Sequence, residues 1–423
     1  MFSLLALAAA CDLALTDAVL IPMDREIALP GHTVLIAEGR IARIGPDAEL
    51  SAEGCARVID ADGRSLAPGL IDAHIHVETG VFAEAMGVEA SEFDYERIFR
   101  PYLENGVTGV RVMAGGPDIL AFRHRAEAEA LGAPALSVSS PMLSGDPPIL
   151  PEPMTRIVRS PEEARAAVRR YAEAGYDLIK LRRNLDAESF LAVIDEAGRL
   201  GLQVDGHINR SLPLPEALGS GQVGLAHLDE ITLSFRDGLT TATELLLEHD
   251  VHVSTSLSVL ASASAQLRDY EAEISRPGVA ALNPLFVDAF WRAPANPYLA
   301  SGASPDFFDV VLLGAQQAVA HMDVAGVRLL AGTDAMNPMI LPGESLHDEL
   351  DLLAAAGLTP YRALRTATVN PAEALPRFAG MGMIAEGRIA NLVLVEGTPL
   401  SDIRAMRDPV LVILDGRIVL EAR

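Results

Sequence analysis

The sequence of 423 residues has no run of 18 or more apolar residues, so it offers no segment able to cross a bilayer as a helix. Cysteine is almost absent. Cys11 and Cys55 alone can build neither a disulfide framework nor a cysteine-ligated zinc site, so any metal must be held by other side chains. Basic residues are scarce, 33 against 58 acidic ones, and the net charge of -25 repels nucleic acid and anionic lipid at long range. The charge by itself names no substrate, and a homo-oligomer is possible. Half of the residues are apolar and 22% are charged, which is globular composition. The length suits a barrel of about 250 residues or more with a smaller accessory domain.

Met1 to Ala10 are small and apolar and lead through Ala8-Ala9-Ala10 into Cys11, in the manner of a lipoprotein cleavage box. Residues 1–11 are therefore a candidate signal segment of a periplasmic lipoprotein with Cys11 as the lipidation site. The alternative is the first strand of a cytoplasmic protein. From Asp12 onward short β-rich runs, Leu13 to Ile21, His32 to Ile36 and Ile41 to Ile44, are separated by turn residues and suggest an antiparallel sheet. The same texture returns in Ile389 to Val395 and Pro409 to Ile418, with a hairpin signal at Leu414-Asp415-Gly416-Arg417. Residues 12–66 with 380–423 are thus expected to form one small β-sandwich from both ends of the chain.

Residues 67–379 alternate strand-like and helix-like runs, the pattern of a parallel sheet with crossover helices. Ser160 can cap a helix with Pro161 at its first position and Glu163 completing a capping box. Ala164, Ala167, Val168 and Tyr171 recur on one face, and Gly175 ends it. Read this way, the strands end near His76, Met113, Met142, Leu181, Ile208, Asp229, Leu257 and Asp334. Eight strands are what a closed (β/α)8 TIM barrel needs, so the expected fold is α/β.

Active sites in such barrels lie at the carboxyl ends of the strands. His74 and His76 stand two apart in a strand, a spacing that points both imidazoles to one side, where they can share a metal. Lys180 ends an apolar strand where a charged ammonium is costly to bury. Burial favours its neutral amine, which can take up carbon dioxide as a carbamate able to bridge two metals. His207, His227 and Asp334 end later strands.

These residues, with Ala67-Pro68-Gly69-Leu70-Ile71-Asp72-Ala73-His74-Ile75-His76, Gly332-Thr333-Asp334, Ala367-Thr368-Val369-Asn370-Pro371-Ala372 and Gly387-Arg388-Ile389-Ala390-Asn391, resemble the amidohydrolase superfamily. Within it they are similar to the imidazolonepropionase-like and prolidase-like branch with a carboxylated lysine. The resemblance implies that His74, His76 and Asp334 hold one metal, and His207 and His227 a second, with carboxylated Lys180 between them. Nitrogen and oxygen ligands suit two zinc ions first, with manganese, cobalt or iron as alternatives. Asp334 is the expected general acid/base. Arg182, Asn209 and Arg210 follow strand ends and are candidate substrate contacts. His249, His252, His321 and His347 are read as structural or exposed, and the stretch from Leu260 to Pro305, with Trp291, as an insertion over the pocket.

The implied reaction is hydrolysis of an amide or peptide bond in a small substrate such as a dipeptide or N-acyl amino acid. A lactone, ester or carbamate hydrolase and a non-catalytic scaffold are the alternatives.

Overall fold

The computed structural model describes residues 11–77, 94–148, 152, 154–228 and 238–422. The lipoprotein-type leader and Asp229, an expected strand end, lie outside them. Two units divide the chain: residues 1–71, 102–108 and 359–423 in one, 72–101 and 109–358 in the other.

The first unit opens with β1 (Leu13–Leu20), β2 (Leu29–Ala37), β3 (Arg40–Pro46), β4 (Arg57–Asp60) and β5 (Ser65–Pro68). The strands that follow are β6 (Leu70–Ile75), β7 (Val107–Val112), β8 (Ala135–Val138), β9 (Met142–Ser144), β10 (Thr155–Ile157), β11 (Leu178–Leu181), β12 (Gln203–Gly206), β13 (Gly224–Leu225), β14 (His252–Ser254) and β15 (Leu329–Leu330). Then β16 (Leu392–Val395), β17 (Pro409–Leu414) and β18 (Arg417–Glu421) rejoin the opening strands.

The expected sandwich is one continuous sheet of eight strands in the order β18-β17-β16-β5-β1-β2-β3, with β4 branching from β1. It encloses a core that includes Leu15, Leu20, Ile36, Leu66, Leu394 and Ile413. Nor is it purely antiparallel, because β4 and β5 both run parallel to β1. That pairing corrects the reading of the cysteines. Leu13 lies opposite Arg57, so the same register two residues earlier brings Cys11 to Cys55. The two form a disulfide with their Cα atoms 4.4 Å apart. The Cys11 sulfur is bonded to that of Cys55 in this structure. The hairpin between β17 and β18 turns through Asp415 and Gly416, both with positive φ, as a tight two-residue turn requires.

In the second unit the strands follow one another around a ring. One sheet holds β6, β7 and β8, and another carries β11 through β15 in sequence. A parallel bridge from Ser139 to Leu178 joins the two at one side, and a parallel bridge from Ile75 to Ala335 joins them at the other. Helices Pro117–Glu129, Pro161–Ala174, Ala187–Arg199 and Leu239–Glu248 fill successive connections. Helix Pro161–Ala174 shows why: Ser160 accepts from the Glu163 backbone, Pro161 needs no donor in the first turn, and Gly175 exits left-handed. Glu163 reaches back to the Arg159 amide, one residue before the cap.

Four strands end three or four residues before the expected place; β13 stops at Leu225 rather than Asp229 and β15 at Leu330 rather than Asp334. The ring strand expected to end near Met142 ends at Val138, and Met142 opens a separate strand paired with β10 and, at one point, β11. The strand expected to end at Leu257 stops at Ser254, because Leu257 starts a helix. Among the described residues no helix is long and apolar enough to cross a membrane.

Candidate active site

His74 is the penultimate residue of β6 and is fully buried, and His76 follows the strand. Asp72 anchors this stretch. Its carboxylate accepts from the Thr333 amide (3.0 Å), the Thr333 hydroxyl (2.7 Å) and the His74 amide (3.2 Å). Burial pushes its pKa up to about 7 against those bonds. Gly332 makes the close approach to β6 feasible, since a Cβ there would lie 2.7 Å from that of His74. Asp334 comes next, with φ +59°, and His227, beyond β13, has φ +66°. Such left-handed non-glycine residues cost on the order of 1–3 kcal/mol and gather at functional sites.

The side chains converge. His76 Nε2 lies 3.1 Å and His74 Nε2 3.4 Å from Asp334 Oδ1, and His227 Nδ1 lies 3.7 Å from Oδ2. The rings of His74 and His227 are 4.5 Å apart. One ligand atom from each of His74, His227 and Asp334 falls within a common span of 4.8 Å, close enough to surround one cation. Both ring nitrogens of His74 and the Lys180 Nζ are buried with no hydrogen-bond partner among the described residues. Unsatisfied buried polar atoms are costly, and a bound cation would satisfy those on His74.

His207 stands farther out, its ring 5.4 Å from that of His227. Both its nitrogens are engaged, Nδ1 with the Leu181 carbonyl (3.1 Å) and Nε2 with Arg182 Nη1 (2.7 Å). Arg182 would have to turn aside before His207 could ligate a metal.

The charge states follow from burial and neighbours. Burial is the main force on Lys180, bringing its pKa down to about 7, with Asp205 and Asp334 opposing. Burial, with Lys180 and His227 nearby, holds His74 and His207 well below the usual imidazole range. Burial alone would raise Asp334, but His227, His76 and Lys180 outweigh it and keep the carboxyl well below the usual carboxylate range. At neutral pH His74 and His207 are therefore neutral imidazoles in a site that also holds an ionised Asp334, a pattern suited to metal ligation.

Residues 65–419 match the amidohydrolase family. The chain belongs to that family. An imidazolonepropionase of Anaeromyxobacter dehalogenans is 29% identical over 99% of this chain and 95% of its own length. An adenine deaminase of Ruegeria pomeroyi is 43% identical over 74 residues, so the match spans 18% of this chain and only 12% of that protein. The fold matches a Xaa-Pro dipeptidase crystallised with methionine in its active site (TM-score 0.72, 19% identity, 96% of this chain and 99% of that one). It also matches the ochratoxinase of A. niger (TM-score 0.73, 20% identity, 97% and 95%).

In this amidohydrolase a cavity of about 350 Å³ opens on His76, Lys180, His207, His227 and Asp334. Its outer wall comes from the stretch read as an insertion: Phe286, Phe290, Trp291 and Pro297 line it. Trp291 is fully buried and donates to the Met336 carbonyl (3.2 Å). Arg182 also lines the cavity. Asn209 is turned away, its amide donating to Leu185 O while its carbonyl oxygen accepts from the Ser211 amide. Arg210 is exposed and is not among the lining residues.

Sequence reasoning missed what lies beside Lys180. Asp205 on β12 is its partner across the ladder, and Arg111 and His252 (2.9 Å) both donate to Asp205 Oδ2. Arg111 also bonds the Ala73 carbonyl and Ser254 Oγ. All three members of the triad are buried. Gly224 leaves it room, since a Cβ there would sit 2.3 Å from Asp205 Oδ2. The signal was a charged residue inside each of three apolar strands, as in Val110-Arg111-Val112 and Val251-His252-Val253.

Proposed function

We propose that this chain is a TIM-barrel, metal-dependent hydrolase that cleaves a carbon–nitrogen bond in a small substrate. The observation that carries the reading is the convergence of His74, His227 and Asp334, with both His74 nitrogens buried and without a hydrogen-bond partner among the described residues. His74, His76 and Asp334 would hold one divalent cation. His207 and His227, together with Lys180 once it has taken up carbon dioxide as a carbamate, would hold a second after Arg182 withdraws. A divalent cation there would supply Lewis acidity, lowering the pKa of water and polarising a carbonyl oxygen.

The protein's own groups do the rest. Asp334, ionised at neutral pH, accepts a proton from the attacking water and passes it to the departing nitrogen, so that the C–N bond breaks as a C–O bond forms. Phe286, Phe290 and Trp291 exclude bulk water from the cavity and so strengthen each electrostatic contact within it. The Arg182 fork can orient a substrate carboxylate.

Metal analysis by mass spectrometry on protein purified without chelators tests the reading, comparing the parent with Lys180→Ala and Asp334→Asn. Turnover is measured in parallel on amides, dipeptides, esters and lactones. Bound metal that falls in both variants, with amide turnover lost, is the expected result. A metal-free parent that stays inactive after addition of zinc or manganese would overturn it.

A further inference from the structure

A second cavity, of about 270 Å³, lies against the same two residues, His227 and Asp334. Its other walls are Val259, Leu260, Tyr298, Phe307, Phe308 and Val311, with the hydroxyls of Thr255 and Ser256. Among the described residues Asp334 is the one acidic side chain that lines it, and no lysine or arginine does. The first cavity is built differently: among the described residues, Lys180 and Arg182 bring cationic side chains to it and Asp334 is again the one carboxylate, set among Phe286, Phe290, Trp291 and Met336. A substrate bond held at Asp334 would therefore have an uncharged, aromatic and aliphatic space on one side. On the other it would have an apolar space with a guanidinium.

We propose that the two cavities are the two halves of one substrate site, and that the substrate is an N-acyl amino acid with a sizeable apolar acyl group. The acyl group fills the chamber of Phe307, Phe308 and Val311, and the amino acid places its carboxylate on Arg182. This deepens the hydrolase reading and rests on it for the chemistry: water adds to the acyl carbon, the amide nitrogen takes a proton, and a carboxylic acid and a free amino acid leave.

The charge pattern also selects against dipeptides. The α-ammonium of a dipeptide would enter a chamber whose described walls offer it no carboxylate but Asp334, which is required elsewhere. An unpaired buried ammonium is strongly disfavoured. Apolar atoms in the same place gain from leaving water. Phe307 is 54% exposed, so the chamber has a mouth through which a longer chain can extend.

The experiment uses Trp291, the one tryptophan of the chain, which lines the first cavity and reports its occupancy by fluorescence. The full-length, metal-chelated protein is titrated with racemic N-octanoylleucine, N-acetylleucine, N-octanoylleucinamide and leucylleucine. The octanoyl acid is expected to bind at least tenfold more tightly than the acetyl acid and the dipeptide. Val311→Phe should remove the octanoyl advantage while leaving acetyl binding in place. Arg182→Gln should weaken the acids about tenfold and spare the amide. Equal binding of acetyl, octanoyl and dipeptide ligands, or an octanoyl advantage that survives Val311→Phe, would overturn the two-chamber site. The same compounds are then offered to metal-loaded protein. Selective binding without any turnover would count against the hydrolase reading and leave the two-chamber site standing. Turnover without selectivity would do the reverse.

Discussion

Replacing Arg111 by methionine should destabilise the second unit by about 3–5 kcal/mol, the cost of removing one partner of a buried ion pair. The magnitude follows from what is left behind. Asp205 is fully buried on β12, its Oδ2 would keep His252 as a donor, and Oδ1 already lacks a hydrogen bond among the described residues. Arg111, with burial opposing, is the first of the groups that keep the Asp205 carboxyl far below its usual range, so its loss leaves an anion in an apolar interior. The Ala73 carbonyl and Ser254 hydroxyl lose a donor in the same step. Urea unfolding followed by Trp291 fluorescence reads this directly, because Trp291 lies in the same unit. Adding Asp205→Asn should recover part of the loss by removing the stranded charge, a non-additivity that a cavity effect alone would not produce. A change of less than about 1 kcal/mol in Arg111→Met, or strict additivity in the double variant, would refute the reasoning.

Three further outcomes are expected. Cys55→Ser opens a covalent loop of 44 residues, and chain-entropy reasoning puts the loss at up to about 4 kcal/mol, visible as a lower unfolding midpoint than the parent under oxidising conditions and little difference once both are reduced. In metal-free protein Lys180 has a native pKa of about 7 against 10.5 unfolded, so the unfolded chain binds the extra proton between those values and stability rises with pH across that window. Lys180→Met should flatten that rise and be the more stable protein at pH 7, which parallel denaturation curves at pH 7 and 9 will show. Glu349→Ala removes a fully buried carboxylate that accepts from the Leu257 and Ser258 amides and the Thr255 hydroxyl, so the start of helix Leu257–Arg268 should lose hydrogen-exchange protection.

What could be read from sequence here is what is encoded locally. A strand two residues long, such as Gly224–Leu225, still announces itself because an apolar run ends in a polar residue at the place where the chain leaves the ring. That is why His74, His76, Lys180, His207, His227 and Asp334 could be named together before any distance was known. The helix at Pro161 was equally legible, since Ser160, Pro161 and Gly175 act within one turn of their own positions. Two of the failures are non-local. Cys11 meets Cys55 because β1 pairs in parallel with β4, a register that neither segment specifies alone. Met142 continues an apolar stretch after Val138, yet it pairs with a strand that starts at Thr155.

The least legible feature is also the one that bears most on chemistry. Lys180 was singled out as a lone amine that burial would neutralise, but it has a paired neighbour, Asp205, whose charge is already held by Arg111 and His252. Without those two donors Asp205 would be free to form an ion pair with Lys180 and keep it an ammonium, which cannot take up carbon dioxide. With them in place the carboxylate is occupied, and burial prevails at Lys180, whose Nζ is left without a partner among the described residues. The neutral lysine is thus a property of four residues on four strands, and three of them carry no sign in the sequence beyond a charge where an apolar residue would pack.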